Sequence, residues 1–421
     1  MLEEPPPEES RRARRSKSRS NPKSRRAAAP PEDDESKPLN ARHARRLRAQ
    51  RQRFWFVLMP AVAVALAFVV AIGVAIRDDS GDGSGAASSA DGSAAARNPQ
   101  TLLLAHRGVD GRIDLLTLTG STSKAASVLL FPVATQVEVP SLGPLTLADL
   151  PADGDQELLA TTVENLLGVK VAKTLVLDDA GLIAALDPAG PFTVDLHREV
   201  KFDGTSEGAI TSGTHRISAA DAGRLLVTAQ PGSELDRLVT VQDVLDGWSL
   251  RLRVPSVARA TLQTQPGLAA MVAAARASDR RTDPLPVESV TTGGSERFDP
   301  RPDEVARYAA AAFPNARLTI GGKRPRVEIL NGTGAVGLAQ AIAGRIVPAG
   351  GQVTLTGNVA KFGLTNTQVV YYRSEDRSVA QRLLKALGCG ALKEADTAVG
   401  IVDVTILAGA DCFPPGGTPS P

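Results

Sequence analysis

The sequence is poor in the side chains that most often carry chemistry. Among 421 residues there are 4 histidines, 2 cysteines and 4% aromatics. His106, His197 and His215 stand far apart without the spacing of metal ligands, so each reads as polar surface and no metal is expected. No Ser, His and Asp set can be picked out by spacing, so nothing here demands an enzyme. Charge of one sign is lacking as well, since 48 Lys and Arg against 46 Asp and Glu leave a formal net charge of +2. That balance hides an uneven distribution. Arg and Lys crowd residues 11–53, relieved mainly by Glu32, Asp33, Asp34 and Glu35. A basic arm is a known nucleic-acid signal, but neither aromatics nor a recognition helix accompany it, so no nucleic-acid partner is expected.

What is present gives the chain its layout. Few apolar residues and much Pro and Ser leave residues 1–53 unable to offset the entropy of ordering, so a disordered basic arm is expected. Residues 54–76, FWFVLMPAVAVALAFVVAIGVAI, form an uncharged apolar run of the length a helix needs to cross a bilayer core. Arg42, Arg45, Arg46, Arg48, Arg51 and Arg53 flank one side, while Arg77, Asp78, Asp79 and Asp82 flank the other. The positive-inside rule then puts the N-terminus in the cytoplasm and the rest outside, as a single-pass protein of the plasma membrane. A cleavable signal peptide is the competing reading, but the run is too long and starts too far from Met1. Trp55 fits an interfacial anchor and Pro60 a kink. Residues 77–98, largely Gly, Ser, Ala and Asp, read as a flexible linker.

Beyond the linker the fold class is α/β. Strands are expected at 101–105, 113–119, 127–131, 136–139, 174–177 and 192–196, and helices at 158–167, 180–186, 218–228 and 238–252. An Ala-rich helical stretch at 256–277 completes one α/β domain over 99–277, large enough to bury a core. Residues 278–325, charged and Pro-bearing at first, read as a linker with a short helix at 303–312. A small α/β domain follows over 326–413, with strands at 327–330, 352–356, 368–372 and 402–407 and helices at 336–346 and 378–387. Residues 414–421 are a Pro and Gly tail, expected to be disordered.

The small domain opens on VEILNGTGAVGLAQAIAGRI, where Gly332, Gly334 and Gly337 have G-x-G-x-x-G spacing. Such glycines permit a tight turn and close backbone approach to a pyrophosphate at a helix N-terminus. A domain of about 90 residues is far short of a double βαβαβ unit, however, and Thr354, Thr356 and Asn358 stand where a dinucleotide site would place Asp or Glu. No cofactor is expected. Asn331 and Thr333 read as turn and cap residues, which leaves open a purely structural turn or a helix N-terminus that takes a carboxylate or wall phosphate. Cys389 and Cys412 are an even pair in the exported part, which favours a disulfide over two free thiols. Gly388 and Gly390 permit a sharp exit from a helix beside Cys389, and Cys412 follows a strand expected in the middle of the small sheet.

Several stretches resemble the LytR-CpsA-Psr envelope proteins and the LytR C-terminal domain often appended to them. TLLLAHRGVDGRIDLLTLT resembles that family's first strand, loop and R-x-D-containing second strand. SVLLFPVATQVEVP is similar to the strand, Pro turn and strand that follow, and TTVENLLGVKVAKTLVLDDAGLIAALDPAGPFTVDL to the next helix and strand. ISAADAGRLLVTAQPGSELDRLVTVQDVL resembles the late helix and its continuation. VEILNGTGAVGLA, QVVYY and VDVTILAGADC carry the likeness of the small domain. Heavy use of Arg over Lys with abundant Ala and Gly suggests a GC-rich genome and, with the resemblance, an actinobacterial envelope.

Active members of that family transfer a glycopolymer from a polyprenyl pyrophosphate carrier to peptidoglycan, gripping pyrophosphate with arginines and a divalent metal with carboxylates. The resemblance places Arg112 and Asp114 at the R-x-D pair and Arg237 at a later arginine, a residual phosphate or anion site unless they are ordinary surface charges. It also shows losses. Pro132, Val133 and Ala134 stand where Arg and Asp continue the Pro turn, and Leu226 to Gln230 replace a pair of spaced arginines. The resemblance therefore implies a catalytically degenerate member that binds cell-wall polymer, peptidoglycan, a polyprenyl phosphate lipid or an active paralogue. Two alternatives stay open: a magnesium-dependent phosphotransferase or pyrophosphatase that recruits Arg107, Arg216 or Arg224, and a membrane-bound transcriptional regulator acting through the basic arm.

Overall fold

Strand β1 (Thr101–Arg107) sends Leu102 and Leu104 to one side and Leu103 and Ala105 to the other, and all four are buried. Period-two alternation with both faces apolar is what a strand covered by helices on both sides requires. The structure is a computed structural model that describes residues 100–121, 125–140, 142–151, 156–201, 209–292, 295–319, 322–395 and 401–413. The basic arm, the apolar run at 54–76, the flexible linker and the C-terminal tail lie outside those residues. Among the described residues no helix is long and apolar enough to cross a membrane.

The first body is built in chain order from β1, β2 (Ile113–Ser121), β3 (Ala125–Leu130), the hairpin of β4 (Gln136–Val139) and β5 (Gly143–Thr146), α1 (Gln156–Leu167), β6 (Lys173–Leu177), α2 (Asp179–Leu186) and the hairpin of β7 (Phe192–Leu196) and β8 (Gly213–Ile217). Helices α3 (Ala219–Val227), α4 (Glu234–Leu252), α5 (Pro255–Thr264) and α6 (Ala269–Ala275) follow, then β9 (Asp279–Pro284), the hairpin of β10 (Val287–Thr292) and β11 (Ser295–Pro300), and α7 (Pro302–Ala312). The main sheet has the order β6-β1-β2-β3-β9, antiparallel at its centre and parallel at both edges. Helices α2 to α6 cover the Leu102 and Leu104 face, and α1 and α7 cover the other. Ser218 starts α3 with a capping box to Asp221, as its sequence suggests.

Residues 278–325 are not a linker. Strand β9 pairs in parallel with β3 from Ala125–Asp279 to Leu130–Pro284 and forms the edge of the main sheet. Phe298 on β11 is completely buried, and Val305, Ala309, Phe313 and Ala316 join the core beneath α1. The first body therefore runs to about residue 319 rather than ending at 277.

The second body holds β12 (Arg326–Asn331), α8 (Leu338–Ile346), β13 (Gln352–Asn358), β14 (Gln368–Tyr371), α9 (Arg377–Leu387), β15 (Ala391–Glu394) and β16 (Val404–Ala408). Its sheet order is β13-β12-β16-β14-β15, so β16 runs down the middle as expected. Val327, Ile329 and Ile406 pack against Ile342, Ile346 and Leu383 of the two helices. The Cys389–Cys412 disulfide is present, with Cα atoms 5.4 Å apart. Gly388 ends α9 at φ 73°, a left-handed conformation that suits glycine and turns Cys389 back toward the sheet. Asn165 at the end of α1 joins the two bodies: its amide donates to the Val353 carbonyl and accepts from the Val353 N–H, both at 2.8 Å.

Candidate functional site

Of the residues singled out around the R-x-D pair, Asp114 and Arg237 meet, near the end of β1 and the start of β2 where the chain enters α4. Ser233 and Glu234 start that helix, and Arg237 projects one turn in. Its guanidinium is 3% exposed and engaged with protein partners on all three nitrogens. Nε and Nη2 donate to the two oxygens of Glu234 at 3.0 and 2.8 Å, Nη1 to the Leu226 carbonyl at 2.8 Å, and Nη2 also to the Asp114 carbonyl at 2.9 Å. Arg237 is a buried cross-link between α3, α4 and β2 rather than a surface charge.

Two carboxylates stand where an anion would be gripped. Glu234, besides holding Arg237, accepts the Val133 N–H at 3.3 Å from the Pro132 turn. Glu296 on β11 accepts the Glu234 N–H at 3.0 Å and the Ser233 hydroxyl at 2.8 Å, so its carboxylate covers the N-terminus of α4. A helix N-terminus with its free N–H groups favours an anion, and here the chain supplies that anion itself. Glu296 belongs to the segment that reads as linker in the sequence. Nothing in its composition announces the role.

Asp114 turns away from Arg237 with its carboxylate and accepts or shares a proton with His106 Nδ1 at 2.6 Å. His106 is 1% exposed, and its Nε2 faces Asp179 at 3.2 Å in an ion contact. The expectation of a surface histidine is therefore corrected: its place in TLLLAH, within a strand buried on both faces, is the sequence signal that marks it as interior. Burial lowers its pKa, but the hydrogen bond to Asp114 and the charges of Asp114, Asp179 and Asp178 outweigh burial and leave it above its ordinary value. His197, paired with Asp243 at 2.6 Å, keeps an exposed ring, and His215 contacts the Thr211 carbonyl.

Arg112 differs from Arg237. It is 57% exposed and pairs with Asp149 at 3.0 Å, an ordinary surface ion pair. Arg107 is committed to the loop carbonyls of Gly111, Leu150 and Pro151. Arg216 lies on β8 and Arg224 in the last turn of α3. Among the described residues no group of three or more His, Cys, Asp or Glu is placed to hold a metal ion.

The glycine loop of the second body spends its N–H groups within the fold. Asn331 Oδ1 accepts from the N–H groups of Thr333 and Gly334 at 3.0 and 3.1 Å, its amide donates to the Ala335 carbonyl, and Thr333 Oγ1 accepts the Ala335 N–H. The Gly332 N–H goes to the Ala408 carbonyl at 2.8 Å. Four successive N–H groups that would cradle a phosphate are thus taken internally. Gly332 is required because a Cβ there would come within 2.7 Å of the Ala408 oxygen and of Leu364. The residue that starts α8 is Gly337, at φ 83° and with no side-chain cap, so Asn331 and Thr333 are turn residues and not caps.

Comparison with known proteins agrees with the second body. Residues 324–411 match the family described as LytR cell envelope-related transcriptional attenuator. That segment carries the LytR C-terminal domain. No curated protein matches the chain. Similar solved structures include B. subtilis TagV (14% identity, 52% of this chain and 98% of that chain, TM-score 0.43) and TagT bound to LI-WTA (16%, 52% and 91%, 0.44). A LytR-Csp2A-Psr enzyme from Actinomyces oris is also similar (18%, 50% and 89%, 0.41), the type of protein the sequence resembles. At these scores the likeness transfers no residue role to this chain.

Proposed function

We propose that this chain is a membrane-anchored cell-envelope protein whose first body is a non-catalytic LytR-CpsA-Psr-like domain, and that it organises or modulates wall-polymer attachment by binding wall material or an envelope partner. The supporting observation is the internal neutralisation of Arg237. A phosphate arriving there would have to displace Glu234 from Nε and Nη2 of Arg237 and Glu296 from the start of α4. Separating a buried ion pair costs about 3–5 kcal/mol, which weakens any phosphate grip at that point by two orders of magnitude or more. The envelope setting is supported by the match over 324–411 and by the apolar run at 54–76 with its basic flank.

The test uses the full-length protein in detergent. Incubated with purified cell wall it should be retained after washing, and with polyprenyl-phosphate substrates and magnesium it should give no turnover above background. Turnover abolished by Arg112→Ala would replace this reading with the phosphotransferase. No retention on wall, together with no envelope protein recovered by crosslinking in cells, would end the binding reading.

A further inference from the structure

Between the two bodies lies a cleft of about 560 Å³, within the size range of small-molecule sites. Its walls are fixed by the Asn165 pairing with Val353 and by Thr356, whose hydroxyl donates to Glu138 at 3.0 Å across the junction. Nine buried side-chain polar atoms of the described residues have no hydrogen-bond partner, and four of them belong to residues that line this one cleft: Arg317 Nε, Arg324 Nε, Thr162 Oγ1 and Thr354 Oγ1. All four belong to groups that donate hydrogen bonds. Thr162 is only 1% exposed. Leaving such donors unmatched is unfavourable, and their clustering in the wall of one cavity favours an acceptor there.

The charge points the same way. Arg324 is held in place by its Nη2, which donates to the Asn165 carbonyl at 2.8 Å at the C-terminal end of α1. Its side chain lies over Gly168, at φ 65°, where an added Cβ would stand 2.6 Å from Arg324 Cδ. Burial first, and then the like charge of Arg317, hold its pKa down to about 10, still protonated near neutrality. No ion pair joins either arginine to a carboxylate among the described residues. Of the carboxylates that line the cleft, Asp303 sits exposed at the first turn of α7. Glu138 is pushed toward its neutral form by burial, opposed by its hydrogen bonds with Thr356. Two neighbouring guanidinium groups, that of Arg324 poorly solvated and neither paired with a carboxylate among the described residues, favour an incoming anion, and their planar donor forks match phosphate oxygens.

We propose that the cleft binds an oxyanion, a phosphate or phosphodiester group, between Arg317 and Arg324, with the hydroxyls of Thr162 and Thr354 completing its hydrogen bonds. The cavity is larger than a bare phosphate needs, so the group is carried on a larger molecule whose remainder lies along the polar wall formed by Gln136, Glu138 and Gln352. This site is separate from Arg237 and does not depend on what the first body does.

Calorimetric titration of the full-length protein with inorganic phosphate, pyrophosphate and a hexose 1-phosphate tests it. At least one should bind saturably, and Arg317→Gln should weaken that binding about tenfold or more, the loss expected for a charged hydrogen bond. Among the described residues Arg317 makes no side-chain hydrogen bond or ion pair, so this variant should melt at the wild-type temperature without ligand. Arg324→Gln should weaken binding as well, with some loss of stability from the end of α1. Preference for the hexose phosphate assigns the anion to a glycan, and preference for the inorganic ions keeps the oxyanion site but overturns the larger carrier molecule. Each supports the site. Absence of saturable binding by all three, or binding by Arg317→Gln equal to wild type, overturns it.

Discussion

His106 lies one residue before the end of β1 with a carboxylate at each ring nitrogen, and its proton is tied to folding. Burial disfavours the imidazolium, but the bond to Asp114 and the surrounding aspartates win, so the folded pKa lies above the ordinary imidazole value of 6.5. A group whose pKa is raised by folding binds its proton more tightly in the folded state. Its contribution is complete below the unfolded value of 6.5 and is lost as pH rises through the folded value. Thermal unfolding should therefore show lower stability at about pH 8 than at about pH 6, and His106→Gln should flatten that difference. An unchanged slope in the variant would remove His106 as the cause. Residue by residue, the sequence reveals types but not company: Arg237 was visible as a cation, whereas its partners Glu234, Leu226 and Asp114 come from three different elements.

The elements of the two apolar cores were legible because their patterns repeat. Strands β1, β2, β4 and β7 and helices α1, α2, α3 and α4 fall close to where alternation and helical spacing put them. Strand β9 was not legible for a physical reason. Its sequence DRRTDP is an edge strand, paired on one side only, and edges are kept charged and proline-bearing to discourage further pairing. The same features mark linkers. Proteolysis distinguishes the two, since a linker is cut at low protease while a paired strand and a buried hairpin are not. The full-length protein should resist trypsin at Arg280 and Arg281, and Phe298→Ala, which empties a fully buried position, should destabilise the first body by about 3–5 kcal/mol and open that stretch to cleavage. Rapid cutting of the wild-type chain at those arginines would restore the linker.

At the scale of the whole molecule, the two bodies differ in what holds them. The first relies on a double-faced sheet, while the second adds a covalent tie that spans 23 residues from the end of α9 to the end of β16. Closing a loop of that length restricts the unfolded chain and contributes about 3 kcal/mol, a large part of the stability of a small domain. Reduction, or Cys389→Ser with Cys412→Ser, should lower the melting temperature of the second body while leaving the first unchanged, as resolved by calorimetry. A single unaltered transition would mean that the tie contributes nothing. The junction between the bodies has a different consequence. Strand β13 is the outermost rung of its sheet, and the Asn165 amide occupies one link of its outward backbone ladder by imitating the peptide group of a missing neighbour. A fragment cut free at residue 324 loses that mimic, and with it a guard against templated self-pairing; the rung becomes adhesive, so the small domain on its own should be prone to self-association in a way the intact chain is not.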